Sequence, residues 1–381
     1  MTRIEGALAE CATLQPAHFE VRPWEGHELA EDPRPWQDLS RLASDPNPFF
    51  EPWALIPALR EFAAPGVVQL ATLTVGKVLV GLLPLSLTRD YYGRPIPHIS
   101  VWLHHNAFCG APLVAAGYEA SFWSQMFRWA GDASPTALYL HLARLPADGS
   151  LHAALGTVLD LEKRAAAVVQ RHKRAFLCSD QAPGDYLAQS LNAKRRKDLR
   201  RQYKRLAELG ELVFERTMGQ EDLSGWIDAY LDLEQRSWKG EQNTALADCP
   251  NTARYFRDTL TGAAAAGRLE RLAYRLDGKP IAMLSNFLSP PGAFSFKTSF
   301  DDAYAKYSPG VLLQRENLDL LRNADIAWCD SCAAEGHPMI DRIWRERREI
   351  LSINIAIGGA HRRLAMKTLT RFETGAWAEG I

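Results

Sequence analysis

The hydrophobic positions of this chain follow two rhythms that take turns along its length. Alternation of apolar and polar residues marks strands at 67–74, 78–88, 96–103 and 137–142. It returns at 213–216, 269–276, 280–288, 294–300 and 326–330. Helical spacing marks 53–62, 119–130, 187–209, 223–236, 252–266 and a Trp/Arg-rich stretch at 339–349. The first 48 or so residues are rich in proline and acid, as in WEGHELAEDPRPW, and predict an extended lead-in with one short strand at 18–22. A long loop leads to Leu159-Asp160-Leu161. Strands and helices in this mixture predict an α/β fold.

The two halves repeat each other. Laid without a gap, Leu70-Ala71 falls on Leu272-Ala273, Gly76-Lys77 on Gly278-Lys279 and Leu82 on Leu284. Each hairpin is followed by strand, helix, strand. The expected boundary puts one domain at 1–180 and a second at 181–381. The halves diverge after the hairpin. The second passes from the strand Phe294–Phe300 through Asp301-Asp302 to Tyr307-Ser308-Pro309-Gly310 and then to the apolar run Val311-Leu312-Leu313. Pro309 fits a helix start and Gly310 would let a ligand approach the backbone. A helix N-terminus behind a strand is an anion site, and the same pattern also fits an ordinary capped helix. The first half has Phe108-Cys109-Gly110-Ala111-Pro112 instead. The working site is therefore expected in the second half, with a degenerate first half.

Composition narrows the class. The 381 residues are 47% hydrophobic and 23% charged, with 44 Lys and Arg against 45 Asp and Glu. A net charge near zero argues against bulk nucleic-acid binding, and no DNA partner is expected. No apolar run reaches membrane-span length, MTRIEGALAEC lacks a signal-peptide core, and six scattered cysteines suggest reduced thiols. A cytoplasmic location is the expectation.

Three runs carry a family likeness: Arg236-Ser237-Trp238-Lys239-Gly240, Asp277-Gly278-Lys279-Pro280-Ile281-Ala282, and Tyr304-Ala305-Lys306-Tyr307-Ser308-Pro309-Gly310-Val311-Leu312-Leu313. The strand with Phe296-Lys297, then Asp330-Ser331-Cys332 and His337-Pro338-Met339, follow in order. Over residues 185–350 the chain resembles the GCN5-related N-acetyltransferase (GNAT) superfamily, and more closely its tandem-domain CelD-like or BioF2-like acyltransferases, cousins of the Fem-type peptidyltransferases. The resemblance implies two GNAT-like domains, each a mixed, mostly antiparallel sheet flanked by helices. It also implies an acyl thioester donor, either acyl-CoA or an acyl carrier protein acting as co-substrate, and an amine acceptor on a small molecule or peptide. No tightly bound cofactor is expected. The family's pyrophosphate signature, Arg/Gln-x-x-Gly-x-Gly/Ala, is not intact here, and Gly310 alone stands at the helix start.

Acyl transfer to an amine needs a held thioester, donors for the carbonyl oxygen, a base near neutrality and help for the departing thiolate. His337 fits the base by its ordinary titration range, and fits equally a cap on the next segment. Asp330, ending an apolar strand, either orients a catalytic group or hydrogen-bonds a turn. Lys297 alternates with two phenylalanines and is expected to face away from them, toward the cleft. With Tyr307, Ser308, Gly310 and Val311 it forms the expected donor site; a plain solvated face fits Lys297 as well. Trp238, Lys239, Ser285, Phe296 and Cys332 are the expected acceptor pocket, although Trp238 also fits core packing. The pair Cys329-x-x-Cys332 has no second ligand pair, so no metal is expected. The basic run Lys194–Arg205 is either a solvated face or a dock for an anionic partner: coenzyme A phosphates, an acyl carrier protein or tRNA. A Fem-type enzyme using aminoacyl-tRNA and a non-catalytic scaffold in an envelope or peptide biosynthesis complex are the rival functions.

Overall fold

The computed structural model describes residues 16–375 and 377–378, so the N-terminal segment read against a signal peptide lies outside the described residues. The chain forms two compact units. One holds residues up to His172 together with those from Glu349 onward, and the other is Lys173–Arg348. The C-terminal segment thus belongs with the first unit, not with the second as a cut at 180 implies.

The first unit runs β1 (Ala17–Pro23), α1 (Arg34–Leu42), α2 (Pro52–Phe62), β2 (Val68–Val75), β3 (Val78–Tyr91), β4 (Arg94–Val101), β5 (Leu113–Val114), α3 (Glu119–Ala133), β6 (Tyr139–Pro146) and α4 (Ser150–Leu161). The chain crosses to the second unit within β7 (Ala166–Leu177). There follow α5 (Pro183–Ser190), α6 (Ala193–Ala207), β8 (Leu212–Met218), α7 (Leu223–Gln235), α8 (Pro250–Ala265), β9 (Leu269–Leu276), β10 (Lys279–Ser289), β11 (Gly292–Phe300), α9 (Pro309–Asn317) and β12 (Trp328–Asp330). It returns within β13 (Glu346–Ala356) and ends in α10 (Ala360–Thr374).

Four expectations are corrected here. The lead-in is not extended, because Pro33 starts α1, whose Trp36 is buried and donates its indole N–H to the Phe50 carbonyl at 2.8 Å. The loop before Leu161 is helix α4. The stretch 339–349 is not a helix: turns lead into β13, where buried Ile353 and Ile355 and the other β-branched residues favour an extended chain. The long basic helix is also two helices, parted where Asn192 caps α6 by accepting the Arg195 N–H at 2.9 Å.

In each unit a meander of antiparallel strands leads to a parallel pair. The first has the order β1-β2-β3-β4-β6, with Ile99 opposite Leu140 and Ser100 opposite His141. The second has β8-β9-β10-β11-β12, with Ala293 opposite Cys329 and Phe294 opposite Asp330. The hairpins match residue for residue. Val75 pairs Val78 as Leu276 pairs Lys279, and one extra residue bulges from each second strand, Val80 in one and Ile281 in the other. This register lays Gly76 on Asp277, one place off the gapless match of Gly76 with Gly278. A one-residue slip turns every side chain to the other face, so the shared bulge, not the glycine match, marks the repeat.

Candidate functional site

The sheet of the second unit carries different helices on its two faces. Leu272 and Leu284 pack with Leu199 and Leu206 of α6 and with Leu312 and Leu313 of α9. On the other face Arg271 lies over Trp226 of α7, and Phe287, Phe296, Phe256 and Tyr230 form a chain of ring contacts into α7 and α8. Because β12 is only three residues long, it pairs with the first part of β11 and then leaves it. The rest of β11, from Ser295 to Phe300, runs on without a parallel neighbour in that register.

Lys297 sits on this part of β11, and a second bulge sets its direction. Ser285 pairs Lys297 and the next residue, Asn286, pairs Ser295, so Phe296 is the extra residue. A bulge breaks the alternation of faces. Lys297 therefore does not face away from Phe296 as the plain pattern predicts; its ammonium lies 5.5 Å from the Phe296 ring centroid, on the α7 side. Burial, and after it the nearby Lys239 charge, hold the Lys297 pKa down to about 8, with Glu234 and Cys332 opposing. Lys239 is fixed by an ion pair to the buried Glu234, Nζ to Oε1 at 2.6 Å, and Glu234 Oε2 accepts the Leu246 N–H at 2.8 Å. Glu234 occupies a buried position of an otherwise amphipathic helix, which was the one signal in the sequence for it.

His337 lies in the turn region after β12, partly buried, with Nδ1 buried and without a hydrogen-bond partner. Burial lowers its pKa, and the Lys239 charge adds to this against Asp341. Lys239 is thus within electrostatic reach of both Lys297 and His337. Cys332 is buried, in a left-handed backbone conformation with φ 54°. Its N–H donates to Asp330 Oδ1 at 2.9 Å. Cys329 is packed in a hydrophobic cluster that raises its thiol pKa by burial. Among the described residues no group of three or more His, Cys, Asp or Glu is placed to hold a metal ion.

Asp330 is fully buried between two arginines. Arg174 reaches it with Nε at 2.6 Å and Nη2 at 2.7 Å, and Arg348 with Nη1 at 3.5 Å. Both partners escaped the sequence reading, since a lone arginine on a strand carries no local signature. The carboxylate therefore holds the turn at Cys332 and its two arginines. Ser285 is fully buried beside Lys297 in the register, with its hydroxyl unpartnered. Trp238 is 46% exposed, its backbone N–H bonded to Asp302 at 2.6 Å, so it is not core packing.

At the start of α9, Ser308 is left-handed and its hydroxyl accepts from Gln202 of α6 at 3.1 Å. Gly310 is buried, and a Cβ there would come within 2.4 Å of the Met339 sulfur and 3.0 Å of the Phe300 ring. Met339 and Phe300 take up the space a side chain would need, so packing alone calls for glycine at this position. The open space lies beside it: Arg201, Gln202, Arg205, Lys306 and Tyr307 line a cleft of about 370 Å³. Leu199 and Leu206 of α6 turn inward while Lys194, Arg195, Lys197, Arg200, Arg201, Lys204 and Arg205 stay exposed. Val311 packs between two hydrophobic clusters.

Comparison with known proteins bears on the fold and on the second unit. Residues 193–337 match the model of the Acetyltransferase (GNAT) domain. No curated protein matches the chain in sequence. The fold is similar to that of FemX, with a TM-score of 0.56 at 9% identity over 92% of this chain and 99% of that one. It is similar to the C-terminal domain of a protein described as a lysylphosphatidylglycerol synthetase from Agrobacterium fabrum, with a TM-score of 0.52 at 14% identity over 92% and 99%. A protein of Bacteroides thetaiotaomicron gives 0.52 at 10% identity over 91% and 100%. No helix among the described residues is long and apolar enough to cross a membrane. The matched residues fall within the second unit, which in sequence is thus similar to a GNAT acetyltransferase domain.

Proposed function

We propose that the second unit transfers an acyl group from a thioester to an amine where β11 and β12 part. The observation that carries this reading is the bulge at Phe296, which turns Lys297 toward Lys239 and Glu234 and leaves it with a pKa of about 8. In this mechanism His337 Nδ1 takes the proton from the attacking amine, and the amine nitrogen bonds to the thioester carbonyl carbon. The carbon–sulfur bond then breaks, and the Lys297 ammonium gives its proton to the sulfur. An acid of pKa near 8 is well matched to a thiol of pKa about 8.5. Asp330 is a positioning residue, acting through the Cys332 turn that precedes His337. Burial first, and then the charge of Lys239 held by Glu234, favour the neutral form of His337. The acceptor lies toward Trp238, Ser285, Phe296 and Cys332. The phosphate-bearing arm of the donor takes the cleft of Arg201, Arg205 and Lys306, beside Tyr307 and Ser308.

The test is amide formation by the full chain with a panel of amines and three donors: acyl-CoA, an acylated carrier protein and aminoacyl-tRNA. Turnover with either thioester that falls at least a hundredfold in folded Lys297→Met supports the reading. Turnover only with aminoacyl-tRNA gives the site to the Fem-type chemistry instead. Inertness with every donor leaves the scaffold.

A further inference from the structure

The first unit has a cavity of its own. It is about 440 Å³ and opens on the sheet face around the β4–β6 parallel pair. Its walls include His98, Ser100 and Trp102 from β4 and just beyond it, His141 from β6, Gln170 from β7 and Ser352 from β13. This is the size of a site for a small organic ligand.

The two histidines are fixed in one chemical form. His98 Nδ1 is 2.9 Å from the Ile96 carbonyl, which can only accept, so that nitrogen carries the hydrogen. His141 Nδ1 is 2.6 Å from Asn354 Oδ1. The Asn354 amide nitrogen donates to the Tyr91 hydroxyl at 2.9 Å, and that hydroxyl donates to Glu373 at 2.8 Å. This chain of bonds orients Asn354 with its oxygen toward His141, so His141 Nδ1 also donates. Both rings are over nine-tenths buried, and burial lowers both pKa values, that of His141 to about 4. Each ring therefore has Nε2 left as a hydrogen-bond acceptor, and the ring centroids stand 6.1 Å apart at 88°.

The remaining polar groups choose the ligand. The formal charges at the cavity are opposite and both engaged: Asp90 accepts the Gly93 N–H at 2.7 Å, and Arg144 donates to the Ala107 carbonyl. An ion gains little from such walls, and two neutral imidazole acceptors repel an anion. What fits is a neutral molecule that brings several O–H donors, accepts in return from the Gln170 amide nitrogen, and lays an apolar face against Trp102. We propose that this cavity binds an uncharged polyhydroxylated ligand of the sugar class, its hydroxyls donating to Nε2 of His98 and His141. The assignment is independent of acyl transfer in the second unit.

The experiment is ligand-observed NMR and calorimetry on the full chain with glucose, N-acetylglucosamine and cellobiose, and with glucuronate and glucose 6-phosphate as charged counterparts. The expected result is saturable binding of a neutral sugar, at least tenfold tighter than its charged counterpart. That binding is expected to weaken at least tenfold in His141→Gln. Trp102→Ala, at a half-buried position, gives the same test should His141→Gln not fold. Absence of saturable binding by any neutral sugar, tighter binding of the charged forms, or unchanged affinity in Trp102→Ala overturns the proposal.

Discussion

The two parallel pairs, β4 with β6 and β11 with β12, are the same piece of scaffold carrying opposite chemistry. Up to the hairpin their registers agree, including the extra residue at Val80 and Ile281. The last paired residue on the second strand is His141 in one and Asp330 in the other. His141 is kept neutral by burial, against the pull of the Asn354 amide oxygen, and Asp330 has two arginines for company. Around the first pair the charges are few and engaged. Around the second stand Lys239, Lys297 and His337, with an exposed basic helix nearby. The backbone fixes where a cavity can open, and the side chains at its edges decide whether it suits a neutral or an anionic ligand.

The largest effect that distinguishes the two regions is catalytic. Lys297→Met and His337→Ala are each expected to cut amide formation by about 10²–10⁴, the usual share of a positioned acid or base, while His98→Gln leaves it within a few-fold. The pH profile checks the roles. His337 must be neutral to accept a proton, so activity rises through a pKa below 6.5. Lys297 must be protonated to donate, so activity falls above about 8. His337→Ala should erase the acid limb and Lys297→Met the alkaline one. Stability follows Lys297 too. Between about 8 and the ordinary lysine value of about 10.4 the unfolded chain binds more protons than the folded one, so stability rises with pH there. Lys297→Met should flatten that rise in a denaturation series across pH.

Next in size is the exchange of neutral for ionic company. Removing Asp330 leaves Arg174, itself buried, without its carboxylate. Asp330→Ala should cost about 3–5 kcal/mol in chemical denaturation, as breaking a buried pair from one side does. His141→Leu removes one partner of a neutral hydrogen bond and should cost about 1–3 kcal/mol. Equal costs would mean that the ion pair has no special weight and that the two sites are electrostatically alike.

Much of the fold was legible because β2, β3, β9 and β10 are apolar runs, buried on both faces and bounded by turn residues, and because the helical period is strong in α7 and α8, where one face is core. The helix expected at 339–349 failed because bulky apolar residues at irregular spacing do not separate a buried strand from a helix. The bulges were invisible. Nothing in Ser295-Phe296-Lys297 announces an extra residue, yet it decides which way Lys297 points. Lys297, Lys239 and His337 were nominated by residue type and motif. Glu234, Arg174 and Arg348, which hold the site together, come from distant parts of the chain and carry no motif. Cavity walls such as His98, His141 and Gln170 are brought together only by the order of the strands.

A smaller effect tests the shared register directly. Just after the bulge, Gly81 in the first unit stands where Ala282 stands in the second. A Cβ on Gly81 would meet the Phe122 ring at 2.5 Å. Gly81→Ala should destabilise by about 1–3 kcal/mol through overpacking, and Phe122→Leu in the same chain should recover part of it. Ala282→Gly should cost about 1–2 kcal/mol, through backbone entropy and a lost methyl group. A Gly81→Ala chain as stable as the parent would show that the ring moves freely.

The smallest effect concerns charge at a distance. Arg201 and Arg205 are exposed, so each contact they make to a phosphate should contribute about 0.2–1 kcal/mol, or up to roughly fivefold in affinity. Arg201→Ala and Arg205→Ala should raise KM for the thioester by that factor and leave kcat unchanged, because neither takes part in the proton transfers of the proposed mechanism. Salt should act the same way. Raising ionic strength from 0.1 to 1 M shortens the screening length from about 10 to 3 Å, which should weaken donor binding in the parent and have little further effect in the double variant. Neutral-sugar binding in the first unit should not respond to the same salt, since it rests on hydrogen bonds between uncharged partners. If both ligands weaken together, the contrast between an ionic and a neutral site is lost; if only the thioester does, the two cavities differ in the way their walls predict.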